Sequence, residues 1–273
     1  FSFQKIFHYF NFSSEFSNKI FPYLYETVNK NKFKKIIMFY EAQPYQNNFI
    51  DKLNKKKNIE VIGFYHTGLL PLHTSLIYRQ GAPNKLLISG EYQKKYCEKN
   101  LGWPKNRVIN VESFRYTKNN LLTKDNMIYL PYEISRPNII LSSLKVFFNN
   151  AKNKSLPHFY IKNHPVAKNS RKHLNLIKGI KRIIEDNKKK FGKNSKKKSI
   201  FIGSTTSIIL ALEQKKEVIH ICEEPIFDSY NEIFWYNLDV ERLDQHVFKY
   251  KLKTNKHILK LPKKNKNLLD KYF

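Results

Sequence analysis

Cysteine is scarce in this chain: Cys97 and Cys222 are the only two among 273 residues. Two thiols cannot build a disulfide framework, and neither has other ligands around it at metal spacing, so a reducing, cytoplasmic setting is expected. Acidic residues are few as well, 22 against 50 Lys and Arg, which leaves a net charge of +28. No apolar run approaches the roughly 18 residues of a membrane span, and residues 1–12 lack the basic-then-apolar layout of a signal peptide. Neither a secreted nor a membrane-spanning chain is expected. The Gly-Lys-Ser/Thr ending of a Walker loop is missing, and so is any Asp-x-Asp pair; Asp239-Val-Glu241 is the nearest acidic pair, with no convincing strand leading into it. A metal-held diphosphate is therefore not indicated. There is no internal repeat, heptad array or nucleic-acid-binding module. The chain also lacks an initial Met and enters amphipathic sequence at once, so an incomplete N-terminal part is expected.

What is present is a 41% hydrophobic content, enough for a sizeable core over about two domains. The basic excess is nearly all lysine and comes with abundant Asn, Ile, Phe and Tyr, the bias of A- and T-rich codons, so much of it reads as solvated surface. Short apolar runs alternate with stretches at helical spacing, which predicts an α/β protein with parallel sheets. Strands are expected at Ile36–Tyr40, Ile59–Tyr65, Lys85–Ser89, Arg107–Val111, Met127–Pro131, His158–Lys162, Ser199–Ile202 and Glu217–Ile221. Helices are expected near 14–31, 46–57, 91–101, 136–152, 170–190 and 204–216. The polar stretch Thr117–Asp125 divides the chain into two Rossmann-like domains, 1–123 and 124–273, expected to face each other. Lys-rich 187–198 reads as a solvated loop.

Several strands run into residues that carry chemistry, at the sheet edge where open α/β folds bind ligands. After the strand ending at Ile202 come Gly203 and four hydroxyl residues, Ser204, Thr205, Thr206 and Ser207, then an apolar helix. Hydroxyls and free amides at such a point suit a phosphate; plain N-capping is the alternative. The strand ending at Lys162 delivers His164 and Pro165, placing a cation and an imidazole where a leaving phosphate could be stabilised. In the first half, three strands lead to Glu41-Ala-Gln43-Pro44-Tyr45, His66-Thr67-Gly68 and Glu112-Ser-Phe-Arg115-Tyr116. A carboxylate, an imidazole and a guanidinium on one edge are what general-base chemistry with anion positioning needs.

Taken in order, Glu-x-Gln-Pro-aromatic (41–45), His-Thr-Gly (66–68), Pro-Asn-Lys-Leu-Leu-Ile-Ser-Gly-Glu (83–91), Leu-Gly-Trp-Pro (101–104), Phe-Arg-Tyr (114–116), Lys-Asn-His-Pro (162–165) and Gly-Ser-Thr-Thr-Ser (203–207) resemble bacterial surface-carbohydrate biosynthesis proteins of the GT-B glycosyltransferase type. The His-Pro and hydroxyl motifs are similar to those of bacterial sialyltransferases and capsule polysaccharide transferases that use cytidine-activated donors. The resemblance implies a metal-independent, inverting glycosyltransferase with no cofactor beyond its nucleotide-sugar donor. It implies nucleotide contacts from His164, Ser204, Thr205, Thr206 and Ser207 and catalysis by Glu41 or His66; Lys162 is expected at the nucleotide from its strand-end position, and Gln43 and Arg115 are expected to contact substrate. The expected partners are a nucleotide sugar, a glycan or lipid-linked acceptor, and the anionic inner face of the membrane through Lys-rich 187–198 or Lys260–Lys271, with no nucleic acid. Two departures stand out. Tyr65 replaces the Gln that relatives carry before the His, and Leu210 occupies the place of a ribose-binding Glu, with Glu213 one turn on. A non-catalytic nucleotide-sugar or glycan-binding relative is the alternative reading.

Overall fold

A computed structural model of the chain describes residues 22–31, 33–55, 59–113, 115–116, 123–150, 156–167, 170–192 and 198–261. They form two compact units. One comprises the described residues up to Thr67 with His73–Arg115, the other Gly68–Leu72 with Tyr116–Leu261. Of the dividing stretch Thr117–Asp125, residues 117–122 lie outside the described residues.

The first unit contains helix α1 (22–30), β1 (Lys35–Phe39), α2 (Pro44–Asn54), β2 (Glu60–Phe64), β3 (Lys85–Ser89), α3 (Glu91–Asn100) and β4 (Val108–Val111). The four strands are parallel and lie side by side in chain order, β1-β2-β3-β4. Apolar strands such as Val61-Ile62 and Leu86-Leu87-Ile88 are buried along almost their whole length, as parallel strands covered on both faces require. Pro44 opens α2 with the φ that a first helical residue needs. At Gly63 a Cβ would stand 2.7 Å from Pro83 Cγ, so only glycine lets β2 pass at that point.

The second unit contains β5 (Met127–Tyr129), α4 (Pro137–Asn150), β6 (Tyr160–Lys162), α5 (Arg171–Asp186), β7 (Ser199–Ile202), α6 (Ser207–Glu213), β8 (Val218–Ile221), α7 (Pro225–Asp228), β9 (Leu238–Asp244) and β10 (Val247–Leu252). Its sheet runs β6-β5-β7-β8-β10-β9. The first four strands are parallel, and β10 is antiparallel to both of its neighbours. The chain leaves β5 toward β6 and then returns to place β7 on the other side of β5. Strand order therefore reverses between β5 and β7, the kind of switch point where open α/β sheets bind ligands. Helix α5 turns Leu176, Ile180, Ile183 and Ile184 inward at helical spacing, and they join Leu144, Phe148, Ile200 and Ile219 in one core.

All eight expected strands are present: β3 and β7 have the expected bounds, β1 is shifted one residue toward the N-terminus, and the others are shorter by up to two residues. Strand β5 separates β6 from β7. Two expectations are corrected. A hairpin, β9–β10, extends the second sheet, so Asp239 and Glu241 lie within a strand. Helix α6 starts at Ser207 rather than 204, leaving Ser204 to Thr206 in the preceding turn. Residues 14–21, 56–57 and 151–152 of the expected helices lie outside the described residues. Among the described residues no helix is long and apolar enough to cross a membrane.

Candidate functional site

At the carboxyl edge of the first sheet, β1 is followed by a turn that presents Glu41 and Gln43, both exposed. The turn is fixed by α2. Gln46, itself buried, accepts at Oε1 from the Glu41 N–H (2.9 Å) and the Gln43 N–H (3.1 Å), while its amide donates to the Phe39 carbonyl (2.8 Å). Ala42 takes φ +57, a region non-glycine residues rarely occupy, and its carbonyl accepts from Asn47 Nδ2 and an Arg79 guanidinium nitrogen, each at 3.1 Å. One strand over, His66 stands edge-on to Phe39 with ring centroids 5.2 Å apart, and its Nδ1 is buried with no hydrogen-bond partner among the described residues. Burial holds the imidazole below its ordinary pKa, the Arg115 guanidinium pushes the same way, and the Glu41 carboxylate opposes them. The fold thus brings Glu41, His66 and Arg115 within electrostatic reach of one another. Tyr65, in place of the relatives' Gln, is buried and packs edge-on against His73 at 5.2 Å, so it belongs to the core.

In the second unit the switch point is occupied by the hydroxyl run. Gly203 turns the chain at φ +63, and its N–H still donates to the Ile221 carbonyl at 2.8 Å. The next three backbone amides, of Ser204, Thr205 and Thr206, have no hydrogen-bond partner among the described residues. The hydroxyls of Thr206 and Ser207 are likewise unpartnered among them. Thr205 Oγ1 accepts from the Ser207 N–H at 3.3 Å, and the Ser204 hydroxyl donates to Asp228 Oδ1 at 2.8 Å. Successive free amides after a left-handed residue make a concavity of positive potential suited to an anion. The donors precede α6, whose seven residues are too few for its dipole to matter.

The strand expected to deliver Lys162 and His164 is β6. Strand β6 ends at Lys162, which sits exposed with its ammonium 5.3 Å from the Tyr129 ring centroid. His164 lies in the following turn, edge-on to exposed Tyr132 at 5.5 Å, and its Nδ1 accepts from the Val166 N–H at 3.4 Å, which puts its proton on Nε2. With β5 between them, the ends of β6 and β7 are two strand spacings apart, about 10 Å. His164 therefore reaches a group held by Ser204–Thr206 only across the Pro131-Tyr132 end of β5.

Three residues that matter at these edges were not singled out from the sequence: Gln46, Asp228 and His220. Asp228 accepts from Ser204 and from the Glu224 N–H (2.9 Å). His220, wholly buried in β8, bonds to the Gly203 carbonyl at 2.9 Å. A His inside the apolar run Val218-Ile-His-Ile221 was the available signal. Glu213 proves structural: its buried carboxylate accepts from the backbone N–H groups of Ile258 and Leu259 and stands 3.1 Å from His257 Nδ1. It therefore holds the segment after β10 and is not available to a ribose. Among the described residues no cluster of three metal-ligating side chains occurs. A cavity of about 520 Å³ beside α4 and β8–β10 is lined by none of the candidate residues.

No family model matches the chain, and no curated protein matches it. Among solved structures, a glycosyltransferase from Rickettsia africae ESF-5 is similar over 73% of this chain and 60% of its own, at 12% identity and a TM-score of 0.38. The chain spans less than two thirds of that neighbour, and so slight a likeness carries no argument about fold or chemistry.

Proposed function

We propose that this chain is a glycosyltransferase of the GT-B type that binds the phosphate of a nucleotide-sugar donor at Ser204–Ser207. The observation that carries the reading is the row of three unpartnered amides, flanked by two unpartnered hydroxyls, at the switch point of the second sheet. Phosphate oxygens accept from backbone N–H groups and hydroxyls without needing a metal, and Lys162 and His164 supply cationic and donor groups from the far side of β5. Asp228 sets a limit. Its carboxylate beside Ser204 disfavours a second negative charge there, which suits the singly charged diester of a cytidine-activated sugar better than a terminal phosphate.

In the first unit, His66 is the stronger of the two base candidates. Its lowered pKa keeps the imidazole neutral at pH 7, as an acceptor of the attacking hydroxyl's proton must be, and Glu41 beside it stabilises the imidazolium that forms. Arg115 and Gln43 would meet the acceptor or the donor's acidic sugar. A cell-surface glycan, growing on a lipid-linked acceptor at an anionic membrane, is the proposed setting. Of the basic stretches expected to touch it, residues 193–197 and 262–271 lie outside the described residues, while Lys188 is already paired with Glu185 and Lys190 with the Phe148 carbonyl.

Titration with cytidine, uridine and guanosine monophosphates, followed as thermal stabilisation, tests the phosphate site. Thr205→Val with Thr206→Val keeps shape and removes two donors, and nucleotide affinity is expected to fall about tenfold, roughly 1.4 kcal/mol, with the fold intact. Unchanged affinity would make the hydroxyls mere caps. Nucleotide binding without release of sugar from any activated donor would mark a non-catalytic relative.

A further inference from the structure

A buried imidazole one strand away bonds to the glycine that precedes the hydroxyl run. His220 lies in the middle of β8, fully enclosed. Its Nε2 is 2.9 Å from the Gly203 carbonyl, which can only accept, so Nε2 carries the proton and donates it. Nδ1 is then an acceptor, and the Tyr250 hydroxyl, 3.2 Å away on β10, donates to it. That hydroxyl in turn accepts from the Tyr230 N–H at 3.1 Å. The bonds run in one direction, Tyr230 N–H to Tyr250, Tyr250 to His220, His220 to Gly203, with the Cys222 sulfur a second, longer neighbour of Nδ1 at 3.4 Å. Burial depresses the imidazole to about 4, outweighing the opposite pull of the Gly203 carbonyl and Asp228, so the donor state persists across neutral pH.

The consequence is geometric. The peptide between Gly203 and Ser204 is trans, and in a trans peptide the carbonyl and the next N–H point in opposite directions. A carbonyl turned inward onto His220 therefore turns the Ser204 N–H outward, away from the core, and begins the row of unpartnered amides. Without the tether, a glycine at φ +63 is the residue best able to rotate that plane.

We infer that His220 is a positioning residue: through its bond to the Gly203 carbonyl it orients the Ser204–Thr206 amides toward the phosphate of a bound nucleotide. The inference rests on the phosphate reading above. Its test compares two amide substitutions of similar polarity. Gln at 220 places an amide nitrogen where Nε2 was and can still donate to Gly203, whereas Asn is too short to reach it. Cytidine monophosphate affinity, measured by calorimetry, is expected to stay within about threefold of the parent chain in His220→Gln and to fall tenfold or more in His220→Asn. Tyr250→Phe removes the outer bond of the chain and should lower the melting temperature while leaving affinity in place, a separation that a merely structural role would not produce. Parental affinity in His220→Asn, or a loss in Tyr250→Phe equal to that in His220→Asn, overturns the inference. A measurement on the unaltered chain covers the case in which the variants do not fold. The ¹⁵N resonance of His220 Nε2 should show a protonated, neutral imidazole that shifts when cytidine monophosphate is added, and an unresponsive resonance again overturns the proposal. A parent chain that binds neither nucleoside monophosphates nor inorganic phosphate overturns the phosphate reading first, and the tether with it.

Discussion

At the scale of single residues, His66 is governed by three neighbours whose effects have known signs. Burial and Arg115 push its pKa below 6.5, and Glu41 pushes it up. If the neutral imidazole is the base, the acid limb of the pH–rate profile lies below pH 6.5 and moves predictably. Arg115→Gln should shift that limb to higher pH, and Glu41→Gln should shift it to lower pH. His66→Asn should cost about a hundredfold or more in kcat. A profile that ignores both neighbours would remove His66 from the chemistry. Glu213 invites a different comparison. Glu213→Gln keeps an oxygen for the Ile258 and Leu259 amides and should cost about 1 kcal/mol, while Glu213→Ala leaves both donors buried and unpaired at about 2–4 kcal/mol, read from denaturant midpoints. Ala42, at φ +57 and buried, should accept Gly with little change, whereas a β-branched Val should be at least about 2 kcal/mol worse than Gly.

At the scale of elements, the inner parallel strands were legible because they are buried along nearly their whole length and so read as unbroken apolar runs, Lys85–Ser89 and Ser199–Ile202 to the residue. The β9–β10 hairpin was hidden for the converse reason. Strand β9 is an edge, and Asp239, Glu241, Arg242 and Asp244 blunt it with charge, so its pattern resembles a loop. Strand β10 does alternate, Tyr250 and Leu252 inward against Lys249 and Lys251, over a run too short to decide. The site was legible to the same partial degree. The hydroxyl run and the strand-end His and Glu stand out locally, because glycine, hydroxyl and imidazole residues interrupt apolar runs. What aims them does not. His220 lies 17 positions from Gly203, Asp228 lies 24 from Ser204, and the order β6-β5-β7 is fixed by packing that no local pattern records. Gly203→Ala tests one such constraint. A Cβ there would meet Pro131 Cγ at 3.2 Å in a backbone region unsuited to alanine, so a loss of about 1–2 kcal/mol is expected.

At the scale of the whole molecule, acid stability should be set by two distinct mechanisms that salt can separate. Each unit holds one imidazole depressed to about 4, partly buried His73 in the first and fully buried His220 in the second, in both cases chiefly by withdrawal from water. In the unfolded chain these imidazoles titrate near 6.5. As pH falls from 6.5 toward 4 the unfolded state takes up protons that the folded state refuses, so stability present above pH 6.5 is progressively lost, by roughly 3 kcal/mol for each imidazole. The second mechanism is self-repulsion. A chain already at +28 becomes more positive as its few carboxylates protonate, and that repulsion acts between exposed charges. Charges at the surface are screened at a Debye length of about 10 Å in 0.1 M salt, but the burial of an imidazole is not. Melting temperatures at pH 7, 5 and 4 should therefore fall at every salt concentration, with raised salt recovering only part of the loss. The unrecovered part should shrink in His220→Gln and in His73→Gln, each losing the acid dependence of its own unit, which hydrogen exchange resolves unit by unit. Full recovery by salt would mean that surface charge alone sets acid stability and that neither imidazole is held neutral by its burial.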